Sequence, residues 1–462
     1  MSSNRAPKHQ KRVSTAPFAA VASANAAVVA APTGGGPQLV RGMRDVLPSE
    51  QAFWRRLYDA SVQEFDVREF DRIETPILEE VSLFQRSIGK VTDVIEKEMY
   101  AFEDPGGARV ALRPEATASV ARAYIRHGMI SLPQPVRVWY WGPMFRHDRP
   151  QAGRYRQFFQ IGGEALGDQH PVIDAQLAGA AVAILRRVGL IPTMNINSTG
   201  CPVCRPKYIE QLVAYYRGRR SRLCEDCKRR LVRNPLRLLD CKEEQCTPLK
   251  EEAPQIVDSL CPECKEHFVR VLEYCDELEI SYELTPSLVR GLDYYTKTVF
   301  ELYLPNQEGR QDALGGGGRY DGLVELLGGR PTPAVGFSLG VDRIVNALKE
   351  KSAGEQSANG KGVKIFFAQL GEQARRQGLG IVERLRNDGI AVAEQFSKDG
   401  LKGQLERANR LGVLYTVILG QKEVLDGTLL IRDMEGGVQE IIDRKKVVEV
   451  LRKKLEGQQS VP

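Results

Sequence analysis

Residues 142–164 read Gly-Pro-Met-Phe-Arg-His-Asp-Arg-Pro-Gln-Ala-Gly-Arg-Tyr-Arg-Gln-Phe-Phe-Gln-Ile-Gly-Gly-Glu, and no other stretch restricts the fold so tightly. An alternating strand runs into a basic loop and returns as a second alternating strand. Successive side chains of a strand point to opposite faces. Arg156, Phe158, Gln160 and Glu164 therefore share one face, and Phe159 and Ile161 share the other. One face belongs to a core. The other is a polar wall with cations at its mouth, suited to an anionic nucleotide and a polar small molecule lying on an antiparallel sheet. A solvated hairpin face is the competing reading, but it has little use for this many guanidinium groups beside Gln160 and Glu164.

The rest of the chain supplies the setting. Its 462 residues suggest about three domains. A hydrophobic content of 42% and a charged content of 27% place it with soluble globular proteins, and no stretch is long and apolar enough to span a bilayer. The formal charge is +6, of which Arg5, Lys8, Lys11 and Arg12 supply four. Net charge alone therefore does not announce a nucleic-acid binder; local clusters must. Residues 1–38 read as a disordered tail of a cytoplasmic protein. The basic, acid-poor start also fits an organellar transit peptide. Residues 39–199 and 285–349 read as two halves of one α/β catalytic domain. A cysteine-rich insertion at 200–284 lies between them, and 350–362 is a polar Gly/Ser linker. Residues 363–462 alternate between strands and helices as a second α/β domain: strands at Val363–Leu370, Ile390–Phe396, Val413–Leu419, Gly427–Asp433 and Val438–Asp443, helices at Gln373–Asn387 and Leu401–Arg410, and a closing helix.

Several side-chain groups offer chemistry. Glu115 and Thr117, at a strand-to-helix turn, present a carboxylate and a hydroxyl that can hold an ammonium group. On that segment alone, capping of the helix by Thr117 is the simpler reading. Ser49 is likewise the expected cap of a helix preceding the strand Arg72–Pro76. Arg146 ends the first strand of the hairpin, where a planar guanidinium can grip two phosphate oxygens. In Leu288–Thr296 a cation, Arg290, and two phenols, Tyr294 and Tyr295, flank a glycine turn. The run Gly315–Gly318 before Arg319 and Tyr320 lets backbone approach a ligand closely. Arg343 falls in the first turn of a helix, where the dipole favours anions.

Taken in order from about Leu39 to Leu455, these segments resemble the class II aminoacyl-tRNA synthetases in their histidyl-tRNA synthetase form, with motif 2 at 142–164, motif 3 at 334–343 and the histidyl-specific segment at 288–296. The resemblance implies an antiparallel-sheet catalytic domain of mixed α/β (α+β) class, a helical insertion and a C-terminal anticodon-binding domain. It implies a homodimer formed by motif 1 near 72–76, with ATP, magnesium, L-histidine and the cognate tRNA as partners. It places Arg146 and Arg290 on the α-phosphate of ATP, Arg343 on adenine and the terminal phosphate, and Arg154 on ATP phosphates. Glu115 and Thr117 take the amino group, Gln160 the carboxylate region, and Glu164 and Tyr295 the two ring nitrogens, with Tyr294 and Tyr320 beside them. Arg149 and Gln151 reach the tRNA acceptor end. Two rivals are a histidine-sensing regulatory paralogue, which loses catalytic arginines and the anticodon domain, and a synthetase for proline, threonine or glycine, which lacks the Arg290–Tyr295 segment. This chain keeps all of these.

The insertion carries Cys201/Cys204, Cys224/Cys227 and Cys261/Cys264 as Cys-x-x-Cys pairs, Cys241/Cys246 as a wider pair, and Cys275 left over. Such pairs can chelate tetrahedral zinc. Proximity couples Cys224/Cys227 with Cys241/Cys246, and Cys201/Cys204 with Cys261/Cys264. Packed free thiols and disulfides are the alternatives; an enzyme of reducing cytosol would not depend on the latter. Any metal here is structural. Lys228, Arg229, Arg230, Arg233 and Arg237 read as one basic helix face, either solvated or facing tRNA phosphates.

Overall fold

In this computed structural model residues 36–88, 92, 94–148, 153–305, 313–352, 363–398 and 400–457 are described. The expectations for 1–35, for Arg149 and Gln151 in the hairpin loop, and for linker residues 353–362 lie outside that set. The chain divides into two units, Met1–Lys349 and Glu350–Pro462.

In the first unit β1 is Asp71–Arg72. A small sheet follows, in which β2 (Leu78–Glu80) and β3 (Ala101–Glu103) flank β4 (Arg109–Leu112). The main sheet adds β5 (Val136–Phe145), β6 (Gln157–Leu166), β7 (Thr193–Ser198), β8 (Tyr282–Leu284), β9 (Thr296–Tyr303), β10 (Gly315–Arg319) and β11 (Ala334–Gly340). Its order is β1-β5-β6-β11-β10-β9-β7-β8. Only the outermost pairs, β1 with β5 and β7 with β8, are parallel.

β5 and β6 form the expected hairpin, and its faces divide as the alternation predicts. On the core side Trp54, from the helix Gln51–Asp66, meets Trp141 and Phe159 edge-on at 6.0 and 5.1 Å, while Phe65 stacks on Trp139 at 5.0 Å. Aromatics of this size remove up to about 150–250 Å² each from water on burial, so these contacts contribute much of what holds the hairpin against its helix. The helix Pro171–Arg187 covers the same face, with Leu177, Ala181, Ile184 and Leu185 buried. The opposite face lines a cavity.

Three local expectations are corrected. The first helix starts at Gln51 with Glu50 at its cap position and no capping side chain, so Ser49 does not cap it. The strand expected at 72–76 shortens to β1, after which Ile73 N–H donates to the Trp139 carbonyl. Thr117 is the first residue of the helix Thr117–Arg126 rather than its cap; the Glu115 carboxylate accepts the N–H groups of Thr117 (2.7 Å) and Ala118 (3.0 Å). A carboxylate there also suits the positive end of the helix dipole.

The insertion is helical, built on Arg205–Arg217, Glu225–Arg233, Thr247–Glu251 and Pro262–Glu277 around Tyr208, Leu212, Tyr216, Leu231 and Leu249. Its last helix returns to the main core: Phe268, Val271 and Cys275 pack with the residues under the sheet, and β8 joins the sheet edge. Cys275 is thus a packed core thiol. His267 of that helix lies 3.4 Å from Asp174, which pairs with the fully buried Arg319. Arg319 also donates to the carbonyls of Asp168 (2.9 Å) and His170 (3.2 Å). Losing one partner of a buried pair costs about 3–5 kcal/mol, so Arg319 pins the strand end that carries Tyr320.

The helix after β11 runs from Val341 to Ser352, extending into the segment read as a linker. In the second unit β12 (Ile365–Gln369), β13 (Val392–Glu394), β14 (Tyr415–Leu419), β15 (Thr428–Asp433) and β16 (Gln439–Asp443) form a sheet ordered β13-β12-β14-β15-β16. The helices Glu372–Asn387, Leu401–Arg410 and Val447–Gly457 match the expected elements; a short helix, Gln421–Asp426, is additional.

Candidate active site

Glu164 is 1% exposed and does not itself line the cavity. Thr117 Oγ1 donates to its Oε1 at 2.8 Å and the Tyr140 hydroxyl to the same oxygen at 3.4 Å, while the Tyr320 hydroxyl donates to Oε2 at 2.5 Å. Burial pushes its carboxyl up to about 8, against the pull of the Tyr320 and Thr117 hydroxyls. A hydroxyl whose proton goes to a carboxylate has only lone pairs left for other neighbours. Thr117, Tyr140 and Tyr320 line the cavity, so with Glu164 ionised they present acceptors to it. Glu164 therefore sits one layer beneath the lining and sets the polarity of the groups above it. Glycine makes room for this: on the neighbouring strand Gly336 pairs with Glu164, and a Cβ there would lie 1.5 Å from Oε2.

Glu115, 4% exposed, is the second buried acid. Burial raises its pKa; the N–H groups of Ala118 and Thr117 and the charge of Arg146 oppose the rise. The Tyr294 hydroxyl approaches it at 3.5 Å, and the Tyr294 ring lies 4.8 Å from Tyr295 and 5.7 Å from Tyr320. This end is aromatic-walled and rich in acceptors, a place for a flat ligand with N–H donors.

The other end is cationic. Arg146 is anchored by its Nε–H to the Pro114 carbonyl at 2.8 Å and lies over the Phe158 ring. Arg290 pairs with the Glu301 carboxylate, which also accepts from the Tyr303 hydroxyl, and lies 5.7 Å from the Tyr295 ring centre. Burial would lower its pKa, but Glu301 together with Tyr295 and Tyr294 outweighs burial and raises it, so the guanidinium stays charged. Gly316 lets it cross the sheet, since a Cβ there would meet its Nη1 at 2.8 Å. Arg154 bonds Asp148 at 3.3 Å, and Arg343 donates to the Ala313 carbonyl. The helix bearing Arg343 is tied down by Asp342, which accepts from the Phe159 N–H (2.8 Å) and from Arg44 (2.7 Å).

The cavity encloses about 580 Å³, within the range of small-ligand sites. Arg146, Arg154, Arg290, Arg343, Glu115, Thr117, Gln160, Tyr294, Tyr295 and Tyr320 all line it. Gln160 Oε1 and Arg290 Nε are buried with no hydrogen-bond partner among the described residues. Buried polar atoms rarely stay unpaired, so these two mark where a ligand's polar groups belong. Tyr140 and Glu301 escaped the sequence reading. Tyr140 sits between Trp139 and Trp141, and alternation alone would have turned it toward the cavity.

The family profile described as histidyl-tRNA synthetase matches residues 42–205 and 232–344, and one described as anticodon binding domain matches 364–454. A histidine--tRNA ligase of Pelotomaculum thermopropionicum is 43% identical over 418 residues, 90% of this chain and 98% of its own. One of Desulforudis audaxviator is 45% identical over 419 residues, 90% and 99%. The chain belongs to the histidyl-tRNA synthetase family. The solved apo histidyl-tRNA synthetase of S. aureus superposes with a TM-score of 0.75 at 35% identity, covering 90% of this chain and 99% of that one.

The histidyl-tRNA synthetase profile passes over residues 206–231, inside the cysteine-rich insertion. There the sulfurs gather into the two expected sets, Cys201, Cys204, Cys261 and Cys264, and Cys224, Cys227, Cys241 and Cys246, each within 4.8 Å. A tetrahedron of sulfurs about 2.3 Å from zinc has edges of about 3.8 Å. Cys201–Cys204, Cys201–Cys261 and Cys224–Cys241 are 3.7, 3.8 and 3.8 Å apart. Disulfide sulfurs would be about 2.05 Å apart, and all nine cysteines are free. Backbone N–H groups of Val203 and Cys227 point at Cys201 and Cys224 sulfurs, both at 3.4 Å. Of the basic residues, Lys228, Arg229, Arg230 and Arg233 share the helix Glu225–Arg233, while Arg237 follows on a 3₁₀ turn and reaches the cavity rim.

Proposed function

We propose that this chain is a histidine–tRNA ligase: it activates L-histidine with ATP to histidyl-adenylate and pyrophosphate, then transfers histidine to the 3′-terminal ribose of its cognate tRNA. The observation that carries the reading is one cavity with guanidinium groups at one end, an acceptor-lined aromatic slot at the other, and orphaned polar atoms on Gln160 and Arg290 in its wall. The histidine carboxylate attacks the α-phosphorus in line, and the terminal ribose hydroxyl later attacks the adenylate carbonyl. No side chain need be a nucleophile; positioning and charge neutralisation do the work.

In this reading Arg146 and Arg290 clamp the α-phosphate, Arg154 and Arg343 hold the outer phosphates and adenine, and Gln160 meets the substrate carboxylate. Glu115 and Thr117 take the ammonium, and Tyr294, Tyr295, Tyr320 and, through its hydroxyl partners, Glu164 select the ring. Magnesium would neutralise the charge of the phosphates that the arginines leave uncovered. ATP–pyrophosphate exchange across a panel of amino acids should proceed with histidine alone. Exchange driven instead by proline, threonine or glycine, or by none, would sink the assignment.

The second unit would read the anticodon, and a second copy of the chain would cover the apolar patch of Ile77, Leu78 and Phe102, each 42–48% exposed. Among the described residues no helix is long and apolar enough to cross a membrane; a cytoplasmic site of action fits. Each four-cysteine set would hold one structural zinc, a reading supported by the sulfur spacing. Protein purified without chelator should contain two zinc ions per chain by elemental analysis, falling to one in Cys224→Ser. A metal-free yet stable and active protein would overturn the zinc assignment and leave the ligase reading intact.

A further inference from the structure

Arg205 directly follows the Cys201–Cys204 pair and opens the helix Arg205–Arg217. Its guanidinium collects three backbone carbonyls. Nε–H donates to Thr199 O at 2.9 Å, and Nη2 donates to Gly200 O at 3.1 Å and to Tyr295 O at 2.5 Å. Nη2 also meets Thr199 Oγ1 at 3.2 Å. Arg205 does not itself line the cavity. It stands behind the 288–295 loop and holds the residue assigned to the histidine ring by its backbone.

The same corner bears other marks of being held. Lys297 has a left-handed backbone (φ +50°), which a lysine keeps only where its surroundings enforce it. The enforcement comes from the same segment: Thr199 N–H donates to Lys297 O at 2.7 Å and Lys297 N–H to Gly200 O at 2.9 Å. Gly200, at φ +64°, leaves room for the Cys204 sulfur, 2.8 Å from where a Cβ would sit. The position of Arg205 therefore depends on how the first cysteine set is folded. At the other end of the loop, Val289 packs into the insertion core and Asn234 bonds Asp293 at 3.1 Å.

We propose that Arg205 is the positioning residue of the histidine-recognition loop, and that the Cys201/Cys204/Cys261/Cys264 set acts on amino-acid binding through it. The insertion is then a brace for the catalytic centre in addition to any contact it makes with tRNA. The inference rests on the ligase reading above.

The test is steady-state ATP–pyrophosphate exchange of the full chain carrying Arg205→Ala. Charge-assisted hydrogen bonds of this kind correspond to about a tenfold to hundredfold change in an equilibrium. The histidine KM should rise by that factor, the ATP KM should move less, the zinc content should stay at its wild-type value, and the variant should still melt in one cooperative transition above the assay temperature. Arg205→Lys keeps the charge but cannot span three carbonyls, and should fall between. Cys261→Ser should raise the histidine KM as well, and combined with Arg205→Ala should add little, because both act through one link. A wild-type histidine KM in folded Arg205→Ala, or in Arg205→Lys should the alanine variant not fold, overturns the positioning role. Multiplicative effects in the double variant overturn the link to the cysteine set. Failure of the wild-type protein to exchange with histidine would instead sink the ligase reading itself.

Discussion

Arg290→Ala should slow histidine-dependent pyrophosphate exchange by about 10³-fold or more while leaving the protein folded. Charge moves onto the phosphate oxygens as the carboxylate attacks, and a fixed cation aimed at that charge typically supplies an effect of this order. Arg290 is fixed three ways: Glu301 pairs with it, the Tyr295 ring lies beneath it, and Gly316 leaves the space it crosses. The fold should survive because Glu301, with 19% of its side chain exposed, keeps water and the Tyr303 hydroxyl as partners when the guanidinium is gone. Arg290→Lys should restore only part of the rate, since an ammonium supplies charge without the planar fork. Melting temperature and single-turnover adenylate formation, measured together, separate the two outcomes. Near-normal exchange in the alanine variant would remove Arg290 from the mechanism.

How much of this site could be read in advance depends on which residues had neighbours in sequence to define them. The faces of β5 and β6 were legible because alternation is local: Phe159 and Ile161 had to oppose Gln160 and Glu164, and they do. The cysteine sets were legible because paired spacing leaves few ways to group four pairs. Glu115 was only half legible. The sequence shows its carboxylate, but capping preferences point to Thr117 as cap of the helix, because they rank residue types and say nothing of where a buried acid must put its charge. Glu301 was invisible: on β9 it looks like any polar residue of an alternating strand until Arg290, eleven positions earlier, folds across Gly316 to meet it. β1 was overestimated because its pairing is decided by β5, sixty-odd residues away, and not by its own β-branched residues. The buried cluster of Asp174, Arg319 and His267 likewise joins three distant segments, including a helix of the insertion.

Glu164→Gln should weaken histidine use by about 10²-fold or more, through a change of one atom. When Glu164 is ionised, the hydroxyls of Thr117, Tyr140 and Tyr320 all turn inward toward this carboxylate and offer lone pairs to the cavity. An amide has two N–H donors of its own. It would make at least one of those hydroxyls an acceptor and turn its proton outward, against the ring N–H of the incoming histidine. Mismatched buried polar groups of this kind reject a ligand by up to ~10⁴-fold. The pH dependence gives the same argument a second reading. The Glu164 carboxyl titrates near 8 in the folded chain against an ordinary 4.5, so the folded protein carries the extra proton across that interval. Unliganded stability is therefore fully supported below 4.5 and falls as pH rises toward 8, by at most about 1.4 kcal/mol per pH unit. Histidine, which needs the hydroxyls turned inward, favours the ionised form. Between pH 7 and 8.5, where its ring is neutral, the wild-type histidine KM should fall with rising pH and level off above about 8. The glutamine variant cannot ionise, so its histidine KM and its stability should both lose this slope. A variant that keeps the wild-type pH profile would show that some other group carries the proton, and that Glu164 does not govern the slot.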